Sequence, residues 1–594
     1  MPEPSLTQRI SMAPSDHTDA LISAEWGINK KIPIYSGGLG FLAADQLKEA
    51  ADRGLPLMGF GIFYDKGWVK QKLDERGFQI DGESSIDPEV FEQLGLSLAK
   101  IGQMPVLEKI VIDRISPREV SVGAYILPVE GKRATLPLFL GTTNIPENTN
   151  EWDRGLTAKL YDNGNGSRDY YRTIQWRILA AVTGIARQMG YAPRYQLNEG
   201  HGAFVILQMM NEGISDERIW EQIWLATHTP EAAAFDYLAF SEVANALPNE
   251  AHRLLPYRVN YEGKDCLGMA ELAIAFSRGI NAVSKMHAEV SAQKPQFQGR
   301  EIRYATNGVH LPTWVHPAKA RLYEAQLKNP FENPEEFRRS EAIDDELFEQ
   351  AHRQAQRELF ELVKTRTKGY QLDEGQMTIG FARRGVPYKR ADLLLGITEA
   401  DMEALAKVIN GNAQLVYASK APPGDKDGRD MIQRVHQKAE ELGRIYGSRV
   451  IFVPDYDMEL GLALVRGVDL WLNNPMRGRE ACGTSGMKVI PNWGVNMSVL
   501  DGFWPEVYNG RNGFAIGPHN FSNDRDFDFR HALALLEFEA IPAYRDGRAW
   551  KQLRRESGKL AADLNTWRNL QDLRRIGAHT YDLEKVLSRD RRAA

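Results

Sequence analysis

Short apolar runs alternate with amphipathic stretches along most of the chain. KIPIY, SGGLG and FLAADQLKEAADR (31–53) predict strand, glycine turn and helix, and a second apolar run, LPLMGFGIFY (55–64), follows directly. In YYRTIQWRILAAVTGIARQMG (170–190) apolar residues recur at three- and four-residue spacing, which predicts a helix. AFVILQM (203–209) reads as a strand and 270–285 as helical. TNGVHLPTWVHP (306–317) breaks the pattern with Gly, two Pro and an Asn-Gly turn. After a charged helical stretch (318–368), MTIGFA (377–382), AQLVYAS (413–419), RVIFVPD (449–455) and VDLWLN (468–473) read as strands separated by helical sequence. The tail beyond about residue 530 reads as helical and ends basic, LSRDRRAA.

Strand–helix alternation of this kind predicts an α/β protein with parallel, doubly wound sheets in both halves, whose ligands lie at the carboxyl ends of the strands. At 594 residues the chain exceeds what one hydrophobic core usually supports. The expected division is 1–315 and 316–594, two such domains facing a cleft, with C-terminal helices packing back on the first.

Composition narrows the function classes. The chain carries 73 Lys and Arg against 79 Asp and Glu, a net charge of −6, and so has no global field for nucleic acid or an anionic membrane. Any anion site has to be local. No run of about 18 apolar residues predicts a membrane span, and the first residues, MPEPSLTQRISMAPS, lack the apolar core of a signal peptide. Cys266 and Cys482 are the only cysteines, which suits a reducing cytoplasm better than a disulfide scaffold. No HExxH or zinc-type Cys/His spacing predicts a metal site.

Four segments carry chemistry. SGGLG (36–40) brings Gly37 and Gly38 between strand and helix, where backbone N–H groups can approach a phosphate or sugar; a plain tight turn is the competing reading. FARRGVPYKRADLLL (381–395) holds Arg383, Arg384, Lys389 and Arg390 between an apolar strand and a helix, four cations suited to a dianion rather than a solvated face. In NNPMRGREACGTSGMKVIPNWG (473–494), Gly483, Thr484 and Ser485 at a helix start suit a phosphate cup before Lys488, and that lysine could form a Schiff base with an aldehyde cofactor; taken in isolation, a solvent-facing lysine in a Gly-rich loop is the favoured reading. LNEGHGAF (197–204) and ATHTPEAAAFDY (226–237) place His201 and His228 at strand ends, where either a structural or a catalytic histidine fits.

Taken together and in this order, these segments resemble the α-glucan phosphorylases (glycogen, starch and maltodextrin phosphorylase), most closely the short bacterial and archaeal branch. The likeness runs from Lys30 to Phe514 through IYSGGLGFLAADQLK, GFGIFYDKGW, LNEGHGAF, THTP, NAVSKMHAEVS, ATNGVHLPTWV, FARRGVPYKR and EACGTSGMK. It implies a B-type glycosyltransferase fold with pyridoxal phosphate in the second domain. By resemblance, Lys488 is the Schiff-base lysine, and Gly483, Thr484, Ser485 and Arg383 hold the cofactor phosphate, with Tyr456 as a pocket wall. Arg384 and Lys389 grip the substrate phosphate opposite Gly37 and Gly38. His228 contacts the glucosyl unit, Glu480, Cys482 and Gly483 read its hydroxyls, and Tyr388, Asn307 and His201 complete the pocket. The implied partners are an α-1,4-glucan or maltodextrin and orthophosphate, with a homo-oligomer compatible with the family.

Departures from the family pattern fall on the sugar side. Position 482 is Cys where Ser is usual, MRGR (476–479) replaces a Pro-Leu approach to Glu480, and Pro491 stands three residues beyond Lys488. The regulatory regions of animal enzymes have no evident counterpart. A nucleotide-sugar-dependent glucan synthase of the same fold and a non-catalytic glucan-binding relative are the alternatives. GTSGMK argues against the first and the basic set at 383–390 against the second.

Overall fold

A computed structural model describes residue 10 and residues 13–82, 84–161, 167–231, 235–517 and 523–582; the basic tail LSRDRRAA lies outside them. The protein is a mixed α/β structure built on two large sheets. Nine strands form the main path of the first: β1 (Asp19–Ile22), β2 (Leu57–Ile62), β3 (Glu108–Ile112), β4 (Arg118–Glu130), β5 (Thr135–Thr142), β6 (Arg194–Asn198), β7 (Ile223–Ala226), β8 (Ile280–Ala282) and β9 (Ile302–Tyr304). Their spatial order is β3-β4-β5-β2-β1-β6-β7-β8-β9, with Ser97–Leu98 pairing on β4. From β5 to β9 every pairing is parallel.

The expectation of a purely parallel first sheet is corrected at its edge, where β4 pairs antiparallel with both β3 and β5. Only residues 131–134 separate β4 from β5, far fewer than a parallel crossover needs. AFVILQM is corrected too: Phe204–Asn211 is a helix, and its unbroken apolar run reflects burial rather than strand pleating. The helical reading of 270–285 fails in its second half. The helix Met269–Phe276 stops, and Gly279 lies so close to Trp224 that a Cβ there would meet the indole at 2.2 Å as the chain enters β8.

The second sheet consists of β10 (Met377–Arg384), β11 (Ala413–Lys420), β12 (Val450–Phe452), β13 (Leu470–Asn473), β14 (Val495–Val499) and β15 (Gly513–Ile516). It is parallel throughout in the order β12-β11-β10-β13-β14-β15. Both faces are buried, as the near-continuous apolar strands require. Ile379, Phe381, Leu415, Tyr417, Leu470 and Leu472 enter one core, while Ala382, Val416, Ala418 and Trp471 enter the other. That second core also takes in Tyr35, Phe41 and Trp314 from the first half of the chain. Strand order reverses between β10 and β13, so the loops leaving them diverge and open a crevice at their carboxyl ends.

Four helices position the site: α1 (Gly38–Arg53), α2 (Arg168–Gln188), α3 (Met458–Gly467) and α4 (Thr484–Val489). The strand Ile32–Ile34 ahead of α1 joins Trp26–Asn29 in a small antiparallel pair, outside the large sheet. Helix α4 is short. Its chain continues as one 3-10 turn, Ile490–Asn492, and leaves through Trp493 at φ 61°, so Pro491 falls just past the α-helix.

Contacts between the sheets are numerous. Gln71 Nε2 donates to Ser419 O (2.8 Å), Ser284 Oγ to Ala481 O (2.5 Å) and Lys285 N to Glu506 Oε1 (3.0 Å). The last helix, Thr566–Arg575, returns to the first sheet: Trp567, Leu570 and Leu573 join its core, and Gln46 donates to Asn569 at 2.8 Å. Among the described residues no helix is long and apolar enough to cross a membrane.

Candidate active site

Three chain segments converge. β10 ends in Arg383 and Arg384, the loop after β13 carries Glu480 to Ser485, and the glycine turn leads into α1. A Cβ built on Gly37 would lie 3.8 Å from Arg384 Cδ, and one on Gly38 3.6 Å from Thr484 Oγ1. A Cβ on Gly483 would come within 2.6 Å of Arg383 Nη2. Only Gly483 thus requires the missing side chain for a close approach to a cation, while Gly37 and Gly38 have room for a methyl.

Charge in this locus is left unbalanced by the packing. Arg383 Nη2 donates to Glu480 Oε2 at 2.5 Å, and Lys389 Nζ donates to the same oxygen. Burial alone would raise the Glu480 carboxyl, but Arg383 and Lys389 outweigh it and hold it down at about 2. Burial, with Arg383 adding repulsion, pushes the Lys389 ammonium down to about 7 despite Glu480. Two cations, Arg383 and Lys389, on one carboxylate leave a positive excess that an anion would relieve. Arg390, the fourth cation of the run, is corrected out of the site. Its guanidinium donates to Asn474 O, Pro475 O and Asp528, with Arg477 on the other side of that carboxylate. MRGR is thus an anchor: Arg477 ties the approach to Glu480 onto a fully buried Asp528.

The glycine turn has its own brace, which sequence reasoning missed. Glu25, buried beneath it, accepts from Ser36 N (2.7 Å), Ser36 Oγ (2.7 Å), Gly37 N (3.0 Å) and Tyr161 OH (2.5 Å). Gly37 N–H is therefore already taken, and the turn presents Gly38 to its surroundings. The signal, AEWG twelve residues ahead of Gly37, carries no recognisable spacing.

His201 and His228 follow the neighbouring strands β6 and β7. Ala24 N donates to His201 Nε2 (3.0 Å), and the ring lies 5.4 Å from Trp176 on α2. Among the described residues no hydrogen bond or ion pair joins His201 to the cations. His228 is half-buried, its Nε2 3.1 Å from Asn198 Oδ1, and burial pushes both imidazoles down to about 3. Both are neutral hydrogen-bonding groups at pH 7. Glu199 organises this turn and was also missed: it accepts from His228 N at 2.6 Å, and burial pushes it up to about 8. Beyond His228, Glu231 pairs with Arg479 at 3.4 Å and so joins this loop to the one carrying Glu480.

The remaining residues line the same region. Asn307 Nδ2 donates to Cys482 O at 3.4 Å, and Glu480 N donates to Asp501 Oδ2 at 3.0 Å. Tyr456, half-buried, is pushed up to about 12 by burial and by Asp457 and stays a neutral phenol. Tyr388 lies under Lys389, whose Nζ is 4.6 Å from the ring centroid.

Buried polar atoms near the converging loops that lack partners among the described residues include Arg383 Nη1 and Ser485 Oγ. Lys488 is buried on α4 with its Nζ 3.8 Å from the Trp314 centroid and 4.4 Å from that of Phe41. Burial pushes its ammonium down to about 8, within reach of the free amine. Unpaired buried donors of this kind are what a phosphate group would satisfy.

Comparison with known proteins identifies the family. The family described as carbohydrate phosphorylase matches residues 194–512, which include both histidines, the cation run and Lys488. The chain is 34% identical over 580 residues to a glycogen phosphorylase of Aquifex aeolicus, covering 88% of this chain and 79% of that one. It is 34% identical over 582 residues to a maltodextrin phosphorylase of Thermococcus litoralis (91% and 67% covered) and 31% identical over 553 residues to a glycogen phosphorylase of Mycobacterium bovis (84% and 62%). The family match over residues 194–512 and these relatives together show that the chain belongs to the carbohydrate phosphorylases.

Proposed function

We propose that this protein is an α-1,4-glucan phosphorylase, transferring a terminal glucosyl unit to orthophosphate with retention and releasing α-D-glucose 1-phosphate. We assign it two Rossmann-like, doubly wound domains of the B-type glycosyltransferase kind, 1–315 and 316–594, in the cytoplasm. One observation carries the reading: Arg383, Arg384 and Lys389 converge with Gly38 and Thr484, an excess of cations beside two unpaired donors.

The residues divide between two anions. Lys488 would hold pyridoxal phosphate, with Arg383, Gly483, Thr484 and Ser485 around its phosphate and Tyr456 at its wall. Bound there, the cofactor supplies a phosphate that acts as proton partner to the substrate phosphate. Arg384 and Lys389 would take orthophosphate opposite Gly38, their charge offsetting the repulsion between the two phosphates. Orthophosphate gives its proton to the glycosidic oxygen, the bond from that oxygen to C1 breaks, and a phosphate oxygen joins C1 on the same face. Neutral His228 borders the glucosyl unit without adding positive charge to an oxocarbenium-like centre. Glu480, Cys482 and Asn307 read its hydroxyls, and His201 supports the pocket from behind by holding Ala24. Cleft closure excludes water and favours phosphorolysis over hydrolysis.

Incubating the protein with maltodextrin and orthophosphate tests the reading, with release of glucose 1-phosphate expected. Release of none, with glucan extension from a nucleotide sugar instead, would replace it by a synthase. Lys488→Ala is expected to lose cofactor and activity together.

A further inference from the structure

The environment of Lys488 is built by a helix from the first half of the chain. Helix α1, which starts at Gly38 of the anion turn, places Phe41 and Asp45 four residues apart and so on one face. Phe41 lies 4.4 Å from Lys488 Nζ by ring centroid. Asp45 Oδ2 accepts from Trp314 Nε1 at 2.7 Å, and Trp314 covers the other side of the amine at 3.8 Å. The two rings meet edge to face, centroids 5.4 Å apart at 78°. Asp45 and Trp314 are each 2% exposed and Lys488 6%, so water does little to screen this arrangement. Trp314 is also held from behind, because Arg466 of α3 donates to Thr313 O at 2.8 Å and to Trp314 O at 3.3 Å.

We propose that Asp45 is a positioning residue for Lys488: its carboxylate fixes the Trp314 indole against the amine and supplies the negative charge that keeps the amine protonated before cofactor attachment. The charges around the pair support a specific role. Facing Lys488, Asp45 favours the ammonium and Lys48, one turn further along α1, opposes it. Burial raises the Asp45 carboxyl above its ordinary value, and Lys488, Lys48, His310 and the Trp314 indole offset only part of that rise. From the other packed elements, Lys319 is turned to Asn492 O and Arg466 to the Trp314 carbonyl, away from the amine. A caged lysine of this kind accepts an aldehyde only after losing its proton: the amine adds to the carbonyl and water leaves. Asp45 therefore sets the pH at which attachment begins. Because α1 also begins at Gly38, the same helix fixes the anion turn and the cofactor lysine.

The inference rests on the proposed function only in taking pyridoxal phosphate as the natural aldehyde, and the test has an arm independent of that. Full-length protein stripped of cofactor is treated between pH 6 and 9 with formaldehyde and cyanoborohydride, or with pyridoxal phosphate and borohydride. Labelling of the peptide containing Lys488 is followed by mass. Asp45→Asn, which keeps an acceptor for the indole but removes the charge, should move the midpoint down by about one pH unit and raise the pH 7 rate about fivefold. Lys48→Met, in a half-buried position, should move it up. A formaldehyde midpoint unchanged in both variants overturns the assignment of Asp45. Opposite shifts with formaldehyde support it, and if pyridoxal phosphate then fails to attach at any pH, it is the phosphorylase reading that falls.

Discussion

Arg383 and Glu480 meet with Nη2 and Oε2 2.5 Å apart, and Lys389 shares the same carboxylate oxygen. One side chain assigned to the sugar thus holds two side chains assigned to the phosphates. On the proposed roles, glucosyl and phosphate recognition would be coupled through a single carboxylate. Replacing either cation leaves Glu480 less well compensated in a buried place. That coupling governs how variants of this site should behave.

Arg384 is the cation nearest the glycine turn and is free of Glu480. Arg384→Ala should raise the KM for orthophosphate about thirtyfold, the equivalent of losing roughly 2 kcal/mol of charge-assisted hydrogen bonding. The KM for maltodextrin should stay within about twofold of wild type. Initial rates at varied phosphate and fixed maltodextrin measure both, and an unchanged phosphate dependence removes Arg384 from the phosphate site.

Lys389 sets a pH limit. Its ammonium, pushed down to about 7, is lost as pH rises through that value, so binding that depends on its charge is full below and fades above. With substrate-free enzyme as reference, kcat/KM for phosphate should fall above pH 7 by up to about tenfold per unit. Lys389→Arg keeps its charge and should leave only the shallower break that the titration of orthophosphate itself produces. A profile flat to pH 9 in wild type contradicts the assignment.

Gly38 and Gly40 separate binding from folding. A methyl on Gly38 meets only Thr484 Oγ1, at an ordinary 3.6 Å, so Gly38→Ala should leave the Tm unchanged while weakening phosphate use. On Gly40 the same methyl meets Glu25 Cβ at 2.9 Å and Tyr35 Cβ at 3.0 Å. Gly40→Ala should therefore cost about 1–3 kcal/mol of stability by overpacking. Calorimetry alongside phosphate titration distinguishes them.

Glu199 gives a stability signature. Burial raises its folded value from 4.5 to about 8, so the folded protein retains a proton that the unfolded chain releases. Its contribution is full at low pH and is lost as pH climbs from about 5 towards 8. Glu199→Gln, which mimics the protonated form, should flatten that part of the stability curve. Denaturant midpoints at pH 5 and 8 check it, and a slope equal to wild type would count against a protonated Glu199.

The amino-acid sequence alone determined the family resemblance and the segments that carry it. GTSGMK, FARRGVPYKR and SGGLG are local patterns of glycine, cation and hydroxyl, each open to a plain reading singly and informative through their shared order, and the strands beneath them read as apolar runs because both sheet faces are buried. Where pairing partners decide, the pattern was silent: the antiparallel β3-β4-β5 edge and the Phe204–Asn211 helix have apolar runs like those of parallel strands. Tertiary structure alone decided the division of the charged groups. Arg390 turns to Asp528, Glu25 takes up Gly37 N–H, and Asp45 reaches Trp314 across 269 residues of chain. The reason is physical: a buried charge has to find its counter-charge or donor in space, and sequence separation carries no record of which one lies within 3 Å.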